Sequence, residues 1–428
     1  SEMIAILNAE TWFIISTLLA PIGFVLQDVV ADALTVEAIP KTDEKGNELD
    51  FKTLKSLNVV MQLLGRVSII GGGLIVSIIN LILFQDSSKM NEVDKINVYG
   101  DVYLYSLIVP VISVLGVFTY YINLKFKLNG LIKKGISFKK ALNLTFPEPK
   151  KTKTNFSILI GSVIFVIFTI SIGVINFTYS QEIVFIGSFL IISYLLINLS
   201  NELDTNAKKM LLGTAIIIFI FRAIPSTGPG IRWFEIDILN FDQEFISLLA
   251  VISSIFIILG IFLLRPLMEK SSMSKLIIIL SIAGFLFLLP NVGLYYGIHE
   301  LTSQITNGIV DARFLRIIDT ALESPLGQVS MIPILAWIAQ SAPSHLKATF
   351  FAVLASFTNL ALSASSLGTK YLNQIFVVTR EVKSKTGEIT TPADYSELGI
   401  LLITVLLLTL TLPILATIFI RKLKLIAY

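Results

Sequence analysis

The sequence predicts an all-α fold, a polytopic membrane helical bundle. Hydrophobic residues make up 54% and charged residues 15% of the 428 residues, against roughly 45–50% and about 25% in globular chains. The mean hydropathy is +0.81. Long apolar runs recur along the whole chain. This excess of apolar side chains must face lipid.

The apolar runs predict helices because the backbone in lipid has to satisfy its own hydrogen bonds, which leaves helices or closed barrels. A barrel strand would alternate over roughly ten residues, and these runs are continuous. A helix needs about 20 apolar residues to cross a hydrocarbon layer of about 30 Å. About 11 segments qualify, over approximately residues 11–38, 56–84, 102–124, 156–177, 182–199, 209–226, 245–264, 275–296, 315–341, 347–374 and 396–420.

The loops between these helices predict the orientation of the chain. Residues 125–155 carry many lysines against one acid, Glu148, which places this loop in the cytoplasm. Counting outward puts the acidic residues 86–101 outside, together with a mildly basic loop at 377–395. Ser1 then also lies outside, with three helices before the basic loop and eight after it. Bacterial transporters usually keep both termini inside. We therefore expect an odd number of N-terminal helices to be absent from this chain.

The composition also excludes several classes of protein. The chain has no cysteine and two distant histidines, His299 and His345, so we expect no disulfide, cysteine nucleophile, metal site or cofactor. No histidine or cysteine lies within a predicted span, so an intramembrane enzyme is not expected. The net charge of +3 indicates no nucleic-acid partner. No signal peptide is visible at the N-terminus.

The first predicted helix carries acids inside an apolar run, and buried ionisable groups in membrane helices mark function by default. Asp28 and Asp32 are spaced i, i+4 and so share one face of the helix. Glu37 lies near the cytoplasmic end. At 1.5 Å per residue, Asp28 lies about 15 Å from that end, near the midplane. These three acids are candidates for substrate binding or proton coupling.

The second helix is antiparallel and places Arg66 at a similar depth. We therefore predict that Arg66 pairs with Asp28 or Asp32. The alternative interpretation is a purely structural ion pair that fixes helix packing. Small residues beside it would let a neighbouring backbone approach closely: Gly65, Gly71, Gly72 and Gly73.

Arg222 lies in a hydrophobic helix that Pro225 and Gly228 then interrupt, and a cation there suits a substrate carboxylate. The alternative is that Arg222 snorkels to the outer interface. Uncharged polar groups follow near mid-depth, with interhelical hydrogen bonding as their alternative role: Gln328, Ser330, Ser356, Thr358, Asn359 and Ser363. A last group is expected to form a solvated external helix end: Asp311, Arg313, Arg316 and Asp319.

The run Asp28-Val-Val-Ala-Asp-Ala-Leu-Thr-Val-Glu37 resembles the signature of the folate-biopterin transporter family, a branch of the major facilitator superfamily. Three further segments keep the order of the family. These are Arg222 to Gly230 with Phe234, Gly327 to Pro333, and Ala342 to Asn359 with Gly368. One departure is the turn Ala342-Pro-Ser-His-Leu-Lys347, where the family usually has Cys-Pro-x-Gly-x-Glu.

The resemblance implies twelve-helix transporters in which the acidic signature lies in the fourth helix, and hence three helices missing here and fourteen spans in the entire protein. The surplus pair would be 156–177 and 182–199, to which we assign no part in transport. The expected organisation is a three-helix remainder of the N-terminal bundle at 1–124, the basic cytoplasmic loop at 125–155, the extra helix pair at 156–199, and a C-terminal six-helix bundle at 200–428.

The resemblance also implies the function, which is secondary active transport of folate- or pterin-type organic anions by alternating access. Arg66 or Arg222 would pair with the anion. Proton coupling would use Asp28 or Asp32, because two carboxylates one turn apart disfavour double ionisation. The expected partners are the small-molecule substrate, protons and the lipid bilayer, in a bacterial inner membrane. A symporter for another organic anion and a non-transporting receptor are the alternatives.

Overall fold

The computed structural model describes residues 6–37, 39, 49–83, 91–145, 156–175, 178–327, 329, 331–332, 347–384 and 388–425. Within these ranges, nearly all regular structure is α-helix, and the remainder is one two-stranded sheet. The predicted all-helical class is therefore confirmed.

The first half of the chain forms a helix at each predicted span, and helical residues also extend into the loop predicted at 125–155. The segment predicted at 102–124 contains a turn at Leu107, which separates two consecutive helices. The helices are α1 (Ala9–Glu37), α2 (Phe51–Leu83), α3 (Glu92–Ser106), α4 (Ile108–Lys133), α5 (Phe138–Thr145), α6 (Phe156–Ile175) and α7 (Ser180–Ser200).

The second half alternates long helices with short ones at their ends. They are α8 (Thr205–Arg222), α9 (Gly230–Asp237), α10 (Gln243–Leu263), α11 (Arg265–Lys270), α12 (Met273–Tyr295), α13 (Ile298–Ile305), α14 (Ala312–Glu323), α15 (Lys347–Ile375) and α16 (Leu398–Lys422). Between α15 and α16, β1 (Val382–Lys383) pairs antiparallel with β2 (Ile389–Thr391). We call residues 377–395, which contain the two strands and are predicted to lie outside, the outer hairpin.

In the described part of the chain, seven helical stretches are long and apolar enough to cross a membrane: Glu10–Asp28, Ser56–Leu83, Gly100–Lys133, Ser180–Ser200, Glu244–Leu263, Met273–Tyr295 and Leu398–Lys422. The apolar stretch Leu159–Ile175 is shorter. The predicted spans 209–226 and 347–374 are the helices α8 and α15. Of the predicted span 315–341, the described helix is α14, and residues 333–346 lie outside the described residues.

The chain divides into two compact units, one of Ser1–Ile75 with Phe156–Tyr428 and one of Val76–Asn155. In the smaller unit, α4 is apolar on all sides and has no buried residue. Val114 and Phe118, for example, are both largely exposed. A helix that is hydrophobic all round belongs in lipid or in a packed interior. The domain boundaries expected from the sequence stay a prediction.

The core of the larger unit lies where α12 and α16 pack along each other, with α8 and α15 beside them. Ile277 and Leu280 of α12 are buried, as are Leu401 and Leu402 of α16. Because lipid tails are as apolar as these side chains, van der Waals packing between the helices stabilises this core. This packing positions α8, α14 and α15, which carry the polar side chains described next.

Candidate functional site

The helix that carries Arg222 is interrupted, as the sequence predicts. Helix α8 ends at Arg222, and α9 begins at Gly230 after seven non-helical residues. Pro225 has no backbone N–H to continue a helix. Gly228 has φ +70°, a left-handed conformation that side chains other than glycine rarely adopt. We call residues 223–229 the break segment.

Three polar side chains of α15 bind the backbone of the break segment. The N–H of Ser226 donates to Thr369 Oγ1 at 2.9 Å. The hydroxyl of Ser365 donates to the Ile224 carbonyl at 2.6 Å. Asn373 Nδ2 lies 3.4 Å from the Thr227 carbonyl. Irregular backbone at membrane depth needs such partners because lipid supplies none.

Sequence reasoning missed these three residues, although their spacing was visible. Ser365, Thr369 and Asn373 recur every fourth residue and therefore lie along one face of α15. The contact is close. A Cβ on Gly368 would lie 2.7 Å from Pro225 Cγ, and one on Gly228 would lie 2.8 Å from Asn373 Nδ2. Glycine at both positions lets α15 and the break segment touch.

Arg222 and Arg66 lie near each other, although they come from distant parts of the sequence. The two guanidiniums are close enough for their positive charges to act on each other. Both residues are half-buried, and Arg222 Nη1 also contacts Met331 Sδ. Among the side chains that the structure describes, no acid forms an ion pair with either arginine. Two like charges in a low-dielectric region favour an anion between or beside them.

The acids of the first helix lie on α1, which packs against α15. Asp28 is half-buried, and no ion pair between Asp28 and Arg66 is found among the described side chains. The side chains of Asp32 and Glu37 lie outside the described residues. The structure thus shows no ion pair between Arg66 and Asp28, and pairing of Arg66 with Asp32 stays a prediction.

The predicted amide side chains fall in different places. Gln328 lies outside the described residues. Asn359 is exposed and lines a groove of about 700 Å³ between α15 and the extra helix pair. Ser162 of α6 and Ser188 of α7 line the same groove. The side chains of α6 and α7 thus face a residue predicted for the site, although no part in transport was assigned to this helix pair.

The glycine run of α2 does not meet a neighbouring helix in the described structure. A Cβ on Gly71, Gly72 or Gly73 would have no described atom within 4 Å. Close backbone approach, which the sequence suggested here, is found instead at Gly228 and Gly368.

The prediction of a solvated helix end at 311–319 is wrong for Arg316 and Asp319. Asp311 caps α14 and Arg313 is exposed, as expected. Asp319, however, is 1% exposed. Arg316 contacts Asp319 and lies 2.8 Å from Glu235 of α9, which is also 1% exposed. Burial follows because the face of α14 that carries both residues turns towards α12 and α9.

This buried charge cluster has two more members. Arg232 lies 2.8 Å from Glu235 and is half exposed. Asn291 Oδ1 of α12 accepts a hydrogen bond from Arg316 at 3.2 Å. Buried charges are tolerated where they are paired and hydrogen-bonded. Sequence reasoning missed Glu235 and Arg232, since nothing in the local pattern of α9 indicates a partner on α14.

A cavity of about 410 Å³ lies beside this cluster. Its polar lining comes from several helices and from the break segment. Asn291, Arg316 and Glu323 line it together with Ser226 and Thr227 of the break segment. The cavity therefore joins the interrupted helix to the buried charges.

The outer hairpin is fixed to α9 by one carboxylate. Asp237 accepts two hydrogen bonds from Arg380, at 2.7 and 2.9 Å, and one from the Tyr395 hydroxyl at 2.6 Å. The Arg380 guanidinium lowers the pKa of Asp237. Burial, with the neighbouring Asp237 carboxylate, raises the pKa of Tyr395 to about 12.

A second ion pair joins the extra helix pair to α15. Lys370 Nζ and the Tyr371 hydroxyl both donate to Oε1 of Glu182, each at 2.7 Å. Glu182 belongs to α7. Helix α15 therefore contacts the break segment through one set of polar side chains and α7 through another.

Comparison with known proteins gives two matches. The model of the BT1 family matches residues 4–427. A protein of Synechocystis sp. named folate-biopterin transporter is 26% identical over 160 residues, which is 36% of this chain and 30% of that protein. The chain thus matches less than a third of the length of this relative.

Proposed function

The chain belongs to the BT1 family, and from this premise we propose that it is a secondary active transporter that moves folate- or pterin-type organic anions across a membrane by alternating access. The matched relative carries the name folate-biopterin transporter. Family membership and the long apolar helices make the chain an integral membrane protein. We place it in the bacterial inner membrane.

The observation that carries this proposal is the approach of Arg66 to Arg222. Repulsion between the two guanidiniums raises the free energy of the empty site, and an anion that binds there relieves it. Folates carry carboxylates, and arginine binds a carboxylate through two parallel hydrogen bonds. This arrangement supports an organic anion as the substrate.

The break segment supports movement around this site. Arg222 is the last residue of α8, so a change in the backbone of residues 223–229 would shift its guanidinium. Discontinuous helices near the midplane form the substrate sites of many transporters. In the proposed mechanism, the two bundles rock about this site and expose it alternately to each side of the membrane.

Proton coupling would use Asp28 or Asp32 of α1. One carboxylate would pair with Arg66 when substrate is absent and take up a proton when substrate replaces it. Two carboxylates one turn apart in low dielectric disfavour double ionisation. Glu37 would pass protons at the cytoplasmic end, and the amides of Gln328 and Asn359 would donate and accept hydrogen bonds with the heterocycle.

Uptake of labelled folate and biopterin by vesicles that contain the full-length protein tests the proposal. Folate has carboxylates and biopterin has none. R66Q and R222Q should each weaken folate uptake by about 10- to 100-fold, the effect of losing a charge-assisted hydrogen bond. Biopterin uptake should fall less. R421Q, at the exposed end of α16, is the matched control and should leave both unchanged.

Other outcomes would change the conclusion. Uptake of an unrelated organic anion, without competition from folate or biopterin, would favour a symporter for that anion. Binding of folate without uptake would indicate a receptor. Full accumulation driven by a pH gradient in both D28N and D32N would contradict coupling at these acids.

A further inference from the structure

We propose that Glu323 is a proton-binding site inside the C-terminal helices, separate from the acids of α1. The proposal rests on the transport function above only in giving the proton a use. The site itself follows from the charges around the 410 Å³ cavity that Glu323 lines.

The charges of the buried cluster balance only when Glu323 is protonated. Three carboxylates, Glu235, Asp319 and Glu323, lie together with two guanidiniums, Arg232 and Arg316. The two guanidiniums are bound to Glu235 and Asp319 and leave no cation for Glu323 in the described part of the bundle. With Glu323 protonated, two carboxylates face two guanidiniums and the cluster is neutral. With Glu323 ionised, it carries one uncompensated negative charge.

Asp319 places a second buried carboxylate beside Glu323. This carboxylate contacts Arg316 and lies within hydrogen-bonding reach of Asn291. Glu323 follows four residues later and lies on the same face of α14. The two carboxyl groups are near enough to interact electrostatically. A negative charge on Asp319 therefore disfavours a second negative charge on Glu323.

The other elements packed around the cavity contribute uncharged polar groups. Helix α12 contributes the neutral Asn291, and α16 contributes Thr409. Helix α10 contributes Ser253, whose hydroxyl accepts a hydrogen bond from Ser324 at 2.8 Å. The break segment contributes Ser226 and Thr227. None of these groups carries a charge, so Arg316 and the two other acids of the cluster decide the protonation of Glu323.

Water and protons need access to Glu323, and the cavity provides space for them. A water molecule occupies about 30 Å³ in the liquid, so the cavity has room for several. The hydroxyls of Ser226 and Thr227 supply donors and acceptors for them. Glu323 lies eleven residues beyond the start of α14 at Ala312, a depth of about 16 Å along the helix. When it binds a proton, one O–H bond of hydronium breaks, one forms at a carboxylate oxygen, and water is left.

Infrared difference spectroscopy of the purified full-length protein in lipid, without substrate, tests this site directly. As the pH rises, the carbonyl band of a protonated carboxylic acid should disappear. E323Q should lose the part of this change that comes from Glu323, because its neutral amide mimics the protonated acid and cannot titrate. E300Q, an exposed glutamate of α13, is the matched control and should keep it. D28N should keep it as well, since Asp28 lies on another helix.

A second variant tests the site even if E323Q does not fold. D319N removes the neighbouring negative charge, so Glu323 should ionise at a pH lower by about one unit, a tenfold change in proton affinity. A carbonyl band whose change with pH is as large in E323Q as in the unmodified protein, or that does not move in D319N, would overturn the proposal. So would a titration that shifts with sodium concentration, which would make the site a cation site.

Transport assays separate this inference from the proposed function. In E323Q, accumulation driven by a pH gradient should be lost while exchange of labelled for unlabelled folate persists. If neither folate nor biopterin is transported by the unmodified protein, the infrared titration of Glu323 still decides the proton site. If the titration fails while transport persists, the inference on Glu323 is wrong and the transport proposal stands.

Discussion

The Nε atom of Arg316 lies 2.8 Å from Oε1 of Glu235, and this ion pair joins α14 to α9 in the interior of the larger unit. Arg316 also contacts Asp319 and Asn291, so one guanidinium connects three helices. The pair borders the cavity that contains Glu323 and faces the break segment. Its charges therefore influence both the stability of the bundle and the polar interior.

Replacing Arg316 by glutamine should destabilise the protein by about 3–5 kcal/mol, because removal of one partner leaves buried carboxylates uncompensated. R313Q is the matched control. Arg313 lies on the same helix, but its pair with Asp242 is exposed, and such pairs contribute roughly 0–1 kcal/mol. Unfolding midpoints in the same lipid or detergent measure the difference. Equal midpoints for the two variants would show that the buried ion pair does not stabilise the fold.

Replacing Gly228 by alanine should cost about 1–2 kcal/mol or more. Its φ of +70° is strained for a residue with Cβ, and that Cβ would lie 2.8 Å from Asn373 Nδ2. G72A is the control because Gly72 is helical with open space around it, so stability should hold or rise by up to about 1 kcal/mol. Thermal unfolding of both variants checks this. A neutral G228A would mean that the break segment adopts another conformation.

Replacing Thr369 by valine keeps the shape of the side chain and removes the acceptor of the Ser226 N–H. The net loss of a hydrogen bond costs about 0.5–1.5 kcal/mol, so stability should fall and folate uptake should fall with it. T404V is the matched control, because the Thr404 hydroxyl is exposed and bonds only within its own helix. If T369V and T404V behave alike in uptake and unfolding, the hydrogen bond between Thr369 and the break segment contributes neither to stability nor to transport.

The outer hairpin should stay fixed to α9 over a bounded pH range. The pKa of Asp237 is lowered in the folded protein, chiefly by Arg380, so its contribution is present above the unfolded value of about 3.9 and is lost as the pH falls below it. The pKa of Tyr395 is raised to about 12, so its contribution is present below about 10 and is lost as the pH rises towards 12.

Hydrogen exchange at the amides of Thr379 and Asp394, which bond to each other across the outer hairpin, measures this docking. Exchange, corrected for its intrinsic pH dependence, should accelerate at both ends of the range. Y395F should remove the alkaline limb and keep the acid one, while D237N should accelerate exchange throughout. A pH-independent exchange in the unmodified protein would contradict the role of Asp237.

The sequence was sufficient to predict features with local causes. The long apolar runs predicted the helices, and the combination of Pro225 and Gly228 predicted the interruption after Arg222, because both residues act on their own backbone. The approach of Arg66 to Arg222 was not predicted. Each arginine was identified singly from its depth in an apolar helix, and their proximity depends on how α2 and α8 pack.

The buried cluster shows where sequence reasoning failed. A helix start rich in Asp and Arg normally faces solvent, so Arg316 and Asp319 were assigned to an exposed end. Their burial depends on Glu235, which is distant in sequence and lies on a short helix. Only the tertiary packing of α9, α12 and α14 brings these charges together, and no pattern within a single segment encodes it.

The bonds of Glu182 to Lys370 and Tyr371 connect α7 to the break segment through α15. Helix α15 is attached to α7 through these residues and to residues 223–229 through Ser365, Thr369 and Asn373. A displacement of α7 along its axis would therefore strain one of these two attachments or move the residues next to Arg222.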